Sequence, residues 1–296
     1  MTLLADTPQL ACIGGLELAA RRVVEGLRSG RHRSPFLGPA VEFADHRPYQ
    51  PGDDLRLIDW KVAARTDRLL VRRHREERDL PLVLVLDTSA SLDWSDAGRP
   101  TKRTWAVLAA AALALLAGDQ GDRVRVVAGA RTLERFSAEQ GGPVGAAAAL
   151  RQLEDLPVQA AGDLPAVLDA VLARLTRKAL IVILSDFLVE IGDFAAALAR
   201  LSARGHDLAA IRVLDPAELA LPAEWGRCAL SDPEGATPPL TCDAAEAKAH
   251  FDRAMAAHGE ALAQACAAAR TDWVTATTGQ DQAEVLGHWL HRRAIR

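Results

Sequence analysis

The sequence predicts an open, doubly wound α/β domain with a mostly parallel sheet, preceded by an irregular, partly β extension. Three observations predict it. Short runs of Val, Leu and Ile recur beyond residue 80, as expected for strands buried on both faces. Segments with helical character separate those runs, so strands and helices alternate. Up to about residue 80 the chain is instead charged and punctuated by Gly30, Pro35, Gly38, Pro39, Pro48, Pro51 and Gly52, which favour loops and short strands.

Taken in order, a helix is expected near Leu16–Leu27, and the first buried strand is "PLVLVLD", ending at Asp87. The run "WAVLAAAALALLA", Trp105 to Ala117, reads as a buried helix, because a membrane span needs about 20 apolar residues. "RVRVVAG" is a second strand and "TLERF" a third, paired one. Helices follow near Val144–Leu153 and at Leu164–Arg174, and "ALIVILSD" is the clearest buried strand. Helix Gly192–Ala203 leads to strand "DLAAIRVL". An insertion rich in Pro and Gly, Asp215 to Asp243, contains "CALSDPEG", which suggests a small hairpin. A long Ala-rich helix, Ala244–Ala269, then strand "DWVTATT" and a helix near Gln282–Arg293 close the chain.

Composition bounds the function. Hydrophobic residues make up 49% and aromatic ones 4%, so the core must be built mainly of Ala, Leu and Val. The net charge of −4 argues against a general nucleic-acid binder, although residues 1–80 carry a slight excess of Lys and Arg. Cys12, Cys228, Cys242 and Cys266 form no C-x-x-C pair, which predicts reduced, mostly buried thiols in a cytoplasmic protein. The first residues lack a basic leader region, and no segment reads as a membrane span.

The chemistry sits where strands end. In a doubly wound sheet, ligands bind outside the carboxyl ends of the strands. One strand there delivers Asp87, Ser89 and Ser91, and another delivers Ser185 and Asp186. If the two strands are neighbours, the carboxylates approach each other beside hydroxyls in a pocket facing solvent. An all-oxygen set without His or Cys suits a hard cation such as Mg²⁺. The same residues also fit a simpler role, capping the helix that follows each strand. Enzymatic templates fit less well. An aspartyl-phosphate phosphatase wants a second Asp where Ser89 stands, and a hydrolase elbow wants Gly where Asp87 and Ser91 stand. A metal-dependent phosphohydrolase using Asp87 and Asp186 is the alternative kept open. His250 and His258, on the long helix, read as surface groups.

The D-x-S-x-S run resembles the metal-ion-dependent adhesion site of von Willebrand factor A domains. A more specific likeness precedes it. "GPAVEFADHRPYQPGDDLRLIDWKVAARTDRLLVRRHREERDLPLVLVLDTSASL" closely resembles the family called domain of unknown function 58 (DUF58). Glu42-Phe43, Arg47, Tyr49, Gly52-Asp53-Asp54, Arg56, Ile58-Asp59-Trp60, Ala64-Arg65, Val71-Arg72 and Glu77 carry it.

The resemblance implies a von Willebrand factor A-like, Rossmann-like domain over residues 80–296, with an insertion at about 215–243 and with residues 1–79 packed on it. It also implies a non-enzymatic adaptor working with a MoxR-type AAA+ ATPase in the chaperone-like assembly or maturation of a client protein. Asp87, Ser89, Ser91 and Asp186 match the metal loops. The second loop of such sites supplies a threonine. Here Gly162 falls at that place and the side chain of the adjacent Asp163 should point elsewhere, so Mg²⁺ (or Mn²⁺ or Ca²⁺) is expected to bind weakly. Arg47, Tyr49, Asp53, Asp54, Arg56, Asp59, Trp60 and Arg65 are expected to pair within the extension and against the main domain, or to meet a partner.

Overall fold

The computed structural model describes residues 15–29, 45–48, 70–73, 80–96, 98–156 and 161–294. The chain divides into two compact units, one of residues 38–79 and one of residues 1–37 with 80–296. In the smaller unit, β1 (Asp45–Pro48) and β2 (Leu70–Arg73) pair antiparallel, with Asp45 opposite Arg73. Tyr49, Asp53, Asp54, Arg56, Asp59, Trp60 and Arg65 lie outside the described residues, and so does the side chain of Arg47.

The larger unit begins with α1 (Gly15–Ser29), β3 (Leu82–Asp87), α2 (Lys102–Asp119), β4 (Arg123–Gly129), β5 (Leu133–Phe136) and β6 (Gln140–Gly141). It continues with α3 (Gly142–Glu154), α4 (Leu164–Arg174), β7 (Leu180–Ser185), α5 (Ile191–Ala203) and β8 (Asp207–Leu214). A short helix α6 (Pro216–Leu219), the hairpin strands β9 (Arg227–Leu230) and β10 (Leu240–Asp243), α7 (Ala244–Ala268), β11 (Asp272–Thr277) and α8 (Gln282–Ala294) complete it.

The sheet order is β11-β8-β7-β3-β4-β5, and β6 pairs with the start of β4. Every neighbour pair from β11 to β4 is parallel, and β5 and β6 pair antiparallel with β4. From β3 the chain runs outward through β4 and β5, then returns to β7 and runs outward the other way. The switch point of this doubly wound sheet therefore lies between β3 and β7, the crevice in which such folds bind ligands.

Strand alternation divides the core in two. Leu82, Leu84 and Leu86 face one apolar cluster with α1, α2, α3 and α8, while Val83 and Val85 face another with α4, α5 and α7. Beyond its first turn helix α2 is apolar all round as far as Gly118, with Ala109, Ala110, Ala111, Ala112 and Ala114 fully enclosed. Small side chains let neighbouring helices come close. A β-carbon on Gly118 of α2 would lie 2.6 Å from Ala146 Cβ of α3. Helix α1 adds Leu16, Ala20, Val23, Val24 and Leu27 to the same cluster from one face. Two expectations are corrected. Of the described thiols only Cys266 is buried; Cys228 and Cys242 are half-buried and stand opposite each other in the β9–β10 hairpin as free thiols, without a disulfide between them. His258 is not simply a surface group, because its Nε2 meets the Phe187 carbonyl at 2.9 Å.

Candidate functional site

Strands β3 and β7 are neighbours, with Leu86 opposite Leu184, so their carboxyl ends bring Asp87 and Asp186 together with Ser89 and Ser91. Asp87 Oδ1 accepts the Ser89 backbone N–H at 2.9 Å, and Oδ2 accepts the Ser185 hydroxyl at 2.7 Å. Ser185 Oγ in turn accepts the Phe187 N–H at 2.9 Å. The Ser89 and Ser91 hydroxyl oxygens stand 3.1 Å apart. The expected solvent-facing pocket is not what forms. Asp87 is 7% exposed, Ser91 4%, and Ser89 and Asp186 2% each. Arg103 covers the first loop by donating from Nη2 to the Thr88 and Ser89 carbonyls, both at 3.2 Å, while its Nε pairs with Asp93. The serines do not cap the short 3₁₀ turn Ala90–Asp93, so helix capping does not account for them.

Asp186 is aimed by an unusual turn. Phe187 follows it with φ at 53°, a left-handed conformation that costs a bulky residue on the order of 1–2 kcal/mol. Its ring is buried against Phe194 and Trp273, at centroid distances of 5.2 and 5.5 Å, and its carbonyl is held by His258. Packing on both sides thus sustains the turn. Asp186 Oδ2 accepts from Lys102 Nζ at 2.8 Å, and the same ammonium reaches Glu218 Oε1 at 2.5 Å. Arg212 Nε donates to the Asp186 carbonyl at 3.2 Å, and its buried Nη2 has no hydrogen-bond partner among the described residues.

A second layer continues from there. Asp215, the residue after β8, accepts from Arg99 at 2.9 and 3.1 Å and from the Thr278 hydroxyl at 3.2 Å, and it caps α6 through the Ala217 N–H at 2.9 Å. Lys102, Arg103, Arg99, Arg212, Asp215, Glu218 and His258 did not emerge from sequence reasoning. Two signals were present. Strand β8 runs into an Asp as β3 and β7 do, and "RPTKRT" puts cations at the start of α2, where the helix dipole favours anions. A broken local rule of that kind marks a place where buried partners compensate.

Electrostatics follow from this burial. Loss of water first, and then the charge of Asp186, push the Asp87 carboxyl from 3.8 up to about 6, despite the bonds from Ser185 and Ser89. Burial alone would depress Lys102, but Asp186 and Glu218 outweigh it and raise the ammonium. Burial lifts Glu218 against the pull of Lys102.

The second loop departs from a threonine site. Asp163 is the N-cap of α4, and its carboxylate is engaged in accepting the Ala166 N–H at 3.1 Å. Gly162 donates its N–H to Glu234 Oε2 at 2.8 Å, a contact from the β9–β10 hairpin that the sequence did not reveal.

The donor set can be tested against a hard cation. Cis oxygens around an octahedral ion with ligand distances of about 2.0–2.1 Å are roughly 3.0 Å apart, and the serine oxygens are 3.1 Å apart beside Asp87. The serine pair therefore has a spacing that suits such an ion, which is also the spacing of the hydrogen bond between the two hydroxyls, while both Asp87 oxygens are engaged by the Ser89 N–H and the Ser185 hydroxyl. Asp186 fits only indirectly, because Lys102 already neutralises it. Among the described residues, no three His, Cys, Asp or Glu side chains form a metal-binding group, so hydroxyl oxygens would have to contribute. Among the same residues, no helix is long and apolar enough to cross a membrane.

Known proteins place this architecture. Uncharacterized protein Rv1480 of Mycobacterium tuberculosis is 36% identical over 258 residues, covering 86% of this chain and 80% of its own length. Uncharacterized protein MAV169 of Mycobacterium avium is 36% identical over 126 residues, 42% of this chain and 72% of that protein. Among solved structures, the conserved hypothetical protein BatB from Bacteroides thetaiotaomicron superposes with a TM-score of 0.50 at 14% identity, covering 73% of this chain and 100% of its own. That likeness concerns the fold alone. The model of the family "Protein of unknown function DUF58" matches residues 45–261, and the chain belongs to that family.

Proposed function

We propose that the protein is a non-enzymatic binding adaptor whose site at the β3–β7 switch point holds an acidic side chain of a partner, with a divalent cation between the two. The observation that carries this reading is the pair of serine hydroxyl oxygens, 3.1 Å apart beside a buried aspartate at the crevice of a von Willebrand factor A-like sheet. A bound Mg²⁺ or Mn²⁺ would supply an open coordination position for an incoming carboxylate. The chain's own residues do the rest. Ser89 and Ser91 present oxygens, Asp87 supplies negative charge, Lys102 fixes Asp186, and Arg103 clamps the loop by its carbonyls. With Gly162 in place of a third hydroxyl, the ion binds weakly. The family resemblance supports a MoxR-type AAA+ ATPase as working partner and chaperone-like assembly of a client as the process.

Calorimetric titration with Mn²⁺ and Mg²⁺ tests the site. Wild type should bind, and Asp87→Ala should lose the heat of binding while remaining folded. Equal affinity in both would overturn the metal reading. Co-elution with a co-expressed MoxR-type ATPase, with and without nucleotide and Mg²⁺, tests the partnership, and separate elution in every condition would overturn it.

A further inference from the structure

The insertion between β8 and α7 ends in a hairpin whose tip is strongly organised. Asp232 accepts the backbone N–H groups of Glu234, Ala236 and Thr237 at 2.9, 3.0 and 3.1 Å, and Gly235 takes a φ of +73° that suits glycine. This turn presents Glu234 toward the body of the domain. Glu234 Oε2 accepts the Gly162 N–H at 2.8 Å. A β-carbon on Gly162 would meet Ser89 Cβ at 3.1 Å and Glu234 Oε1 at 3.3 Å. The carboxylate of an inserted hairpin and a serine of the candidate site thus flank the same glycine.

We propose that the Glu234 carboxylate is an internal ligand of this site, holding the place that an acidic side chain of a partner protein takes. The inference rests on the reading of the site as one that binds carboxylates. The partner is a polypeptide that presents Asp or Glu on a tight turn, as the tip Ser231–Thr237 does, and its binding displaces the hairpin. The hairpin is suited to leave. Residues 235–241 around its tip and second strand are exposed, with Leu240 at 63%, and its base is anchored separately. There Asp243 caps α7, and Trp225 packs edge-on to Trp94 with centroids 6.4 Å apart. A tethered group has an effective concentration on the order of millimolar, so against an intrinsic affinity on the order of 0.1 mM it masks the site about tenfold.

The test uses the full chain, the Glu234→Ala variant, and a synthetic peptide of the sequence Ser231–Thr237 with its Glu→Gln counterpart, in excess Mg²⁺. Hydrogen exchange at the Gly162 amide should be about tenfold faster in Glu234→Ala. The same variant should bind the acidic peptide about tenfold more tightly than wild type and leave the Gln peptide unbound. Unchanged Gly162 exchange, equal peptide affinity in the two proteins, or equal binding of the Gln peptide would each overturn the proposal. Asp87→Ala combined with Glu234→Ala separates the two readings. Loss of peptide binding there supports both. Retained binding overturns the metal-dependent reading alone, and leaves the internal ligand supported through the Gly162 amide.

Discussion

Lys102 Nζ lies 2.8 Å from Asp186 Oδ2, and the two side chains are 1% and 3% exposed. Glu218 completes the group at 2.5 Å from the same ammonium. Removing one member of a buried ion pair leaves uncompensated charge, which costs about 3–5 kcal/mol, although the intact pair adds little net stability over an apolar replacement. Lys102→Met should therefore lower the urea unfolding free energy by about 3 kcal/mol or more. Millimolar Mn²⁺ should raise the Tm of this variant by more than it raises that of wild type, because the cation replaces the missing ammonium. An equal shift in both proteins would show that the ion does not feel Asp186.

Asp87 gives the site a defined pH response. Its folded pKa of about 6 exceeds the ordinary 3.8, so the folded chain holds this proton more tightly than the unfolded one. The stability contributed by the group is fully present below the unfolded value and is lost as pH rises through about 6. The gap of about two units corresponds to roughly 3 kcal/mol. Asp87→Asn removes the titration while keeping an acceptor for the Ser89 N–H. Its urea unfolding free energy at pH 8 should exceed that of wild type by about 2–3 kcal/mol, with the difference closing near pH 4. A difference that does not change with pH would contradict this account.

Much of the fold could be read from periodicity, because β3, β7 and β8 are short apolar runs buried on both faces, and Ala-rich α2 has no polar face to misread. The neighbouring ends of β3 and β7 could be anticipated because doubly wound sheets place ligands there. Lys102 and Glu218 could not, since they are 116 residues apart and meet only when α2 and α6 converge over Asp186. Glu234 was hidden for the same reason. Its hairpin has its own local logic in Asp232 and Gly235, and nothing local says which surface it covers. The left-handed turn at Phe187 runs against that residue's own preference and depends on Phe194, Trp273 and His258.

The α2–α3 contact predicts a steric effect. Gly118→Ala would place a β-carbon 2.6 Å from Ala146 Cβ and 3.1 Å from the Gly142 carbonyl. Overpacking costs about 1–3 kcal/mol, and the better helix propensity of Ala returns up to about 1. A net loss of about 1–2 kcal/mol is expected in chemical denaturation. Adding Ala146→Gly should recover part of it, because the two positions share one contact. If the two effects simply add, the close approach is not what sets the cost.

On the proposed reading of the site, Gly162 takes the place of a third hydroxyl, and its surroundings determine what a side chain there does. Its φ is not among the positive ones, so a β-carbon is tolerated by the backbone. The new atom would sit 3.1 Å from Ser89 Cβ and 3.3 Å from Glu234 Oε1, contacts that require a neighbour to yield by a few tenths of an ångström. Ser89 is fixed in the loop that Arg103 clamps, whereas Glu234 rides on an exposed hairpin, so Glu234 is the group that moves. Gly162→Thr should then do two things at once: bring an extra oxygen to the serine pair and loosen the hairpin. Gly162→Ala should do only the second. Both variants should be cleaved faster than wild type at the tip Ser231–Thr237 in limited proteolysis, with stability within about 1 kcal/mol of wild type. Only Gly162→Thr should bind Mn²⁺ more tightly, by about tenfold if one direct ligand replaces a water, equivalent to about 1.4 kcal/mol. A gain in Mn²⁺ affinity of the same size in Gly162→Ala would show that hairpin release, and not the hydroxyl, governs the ion.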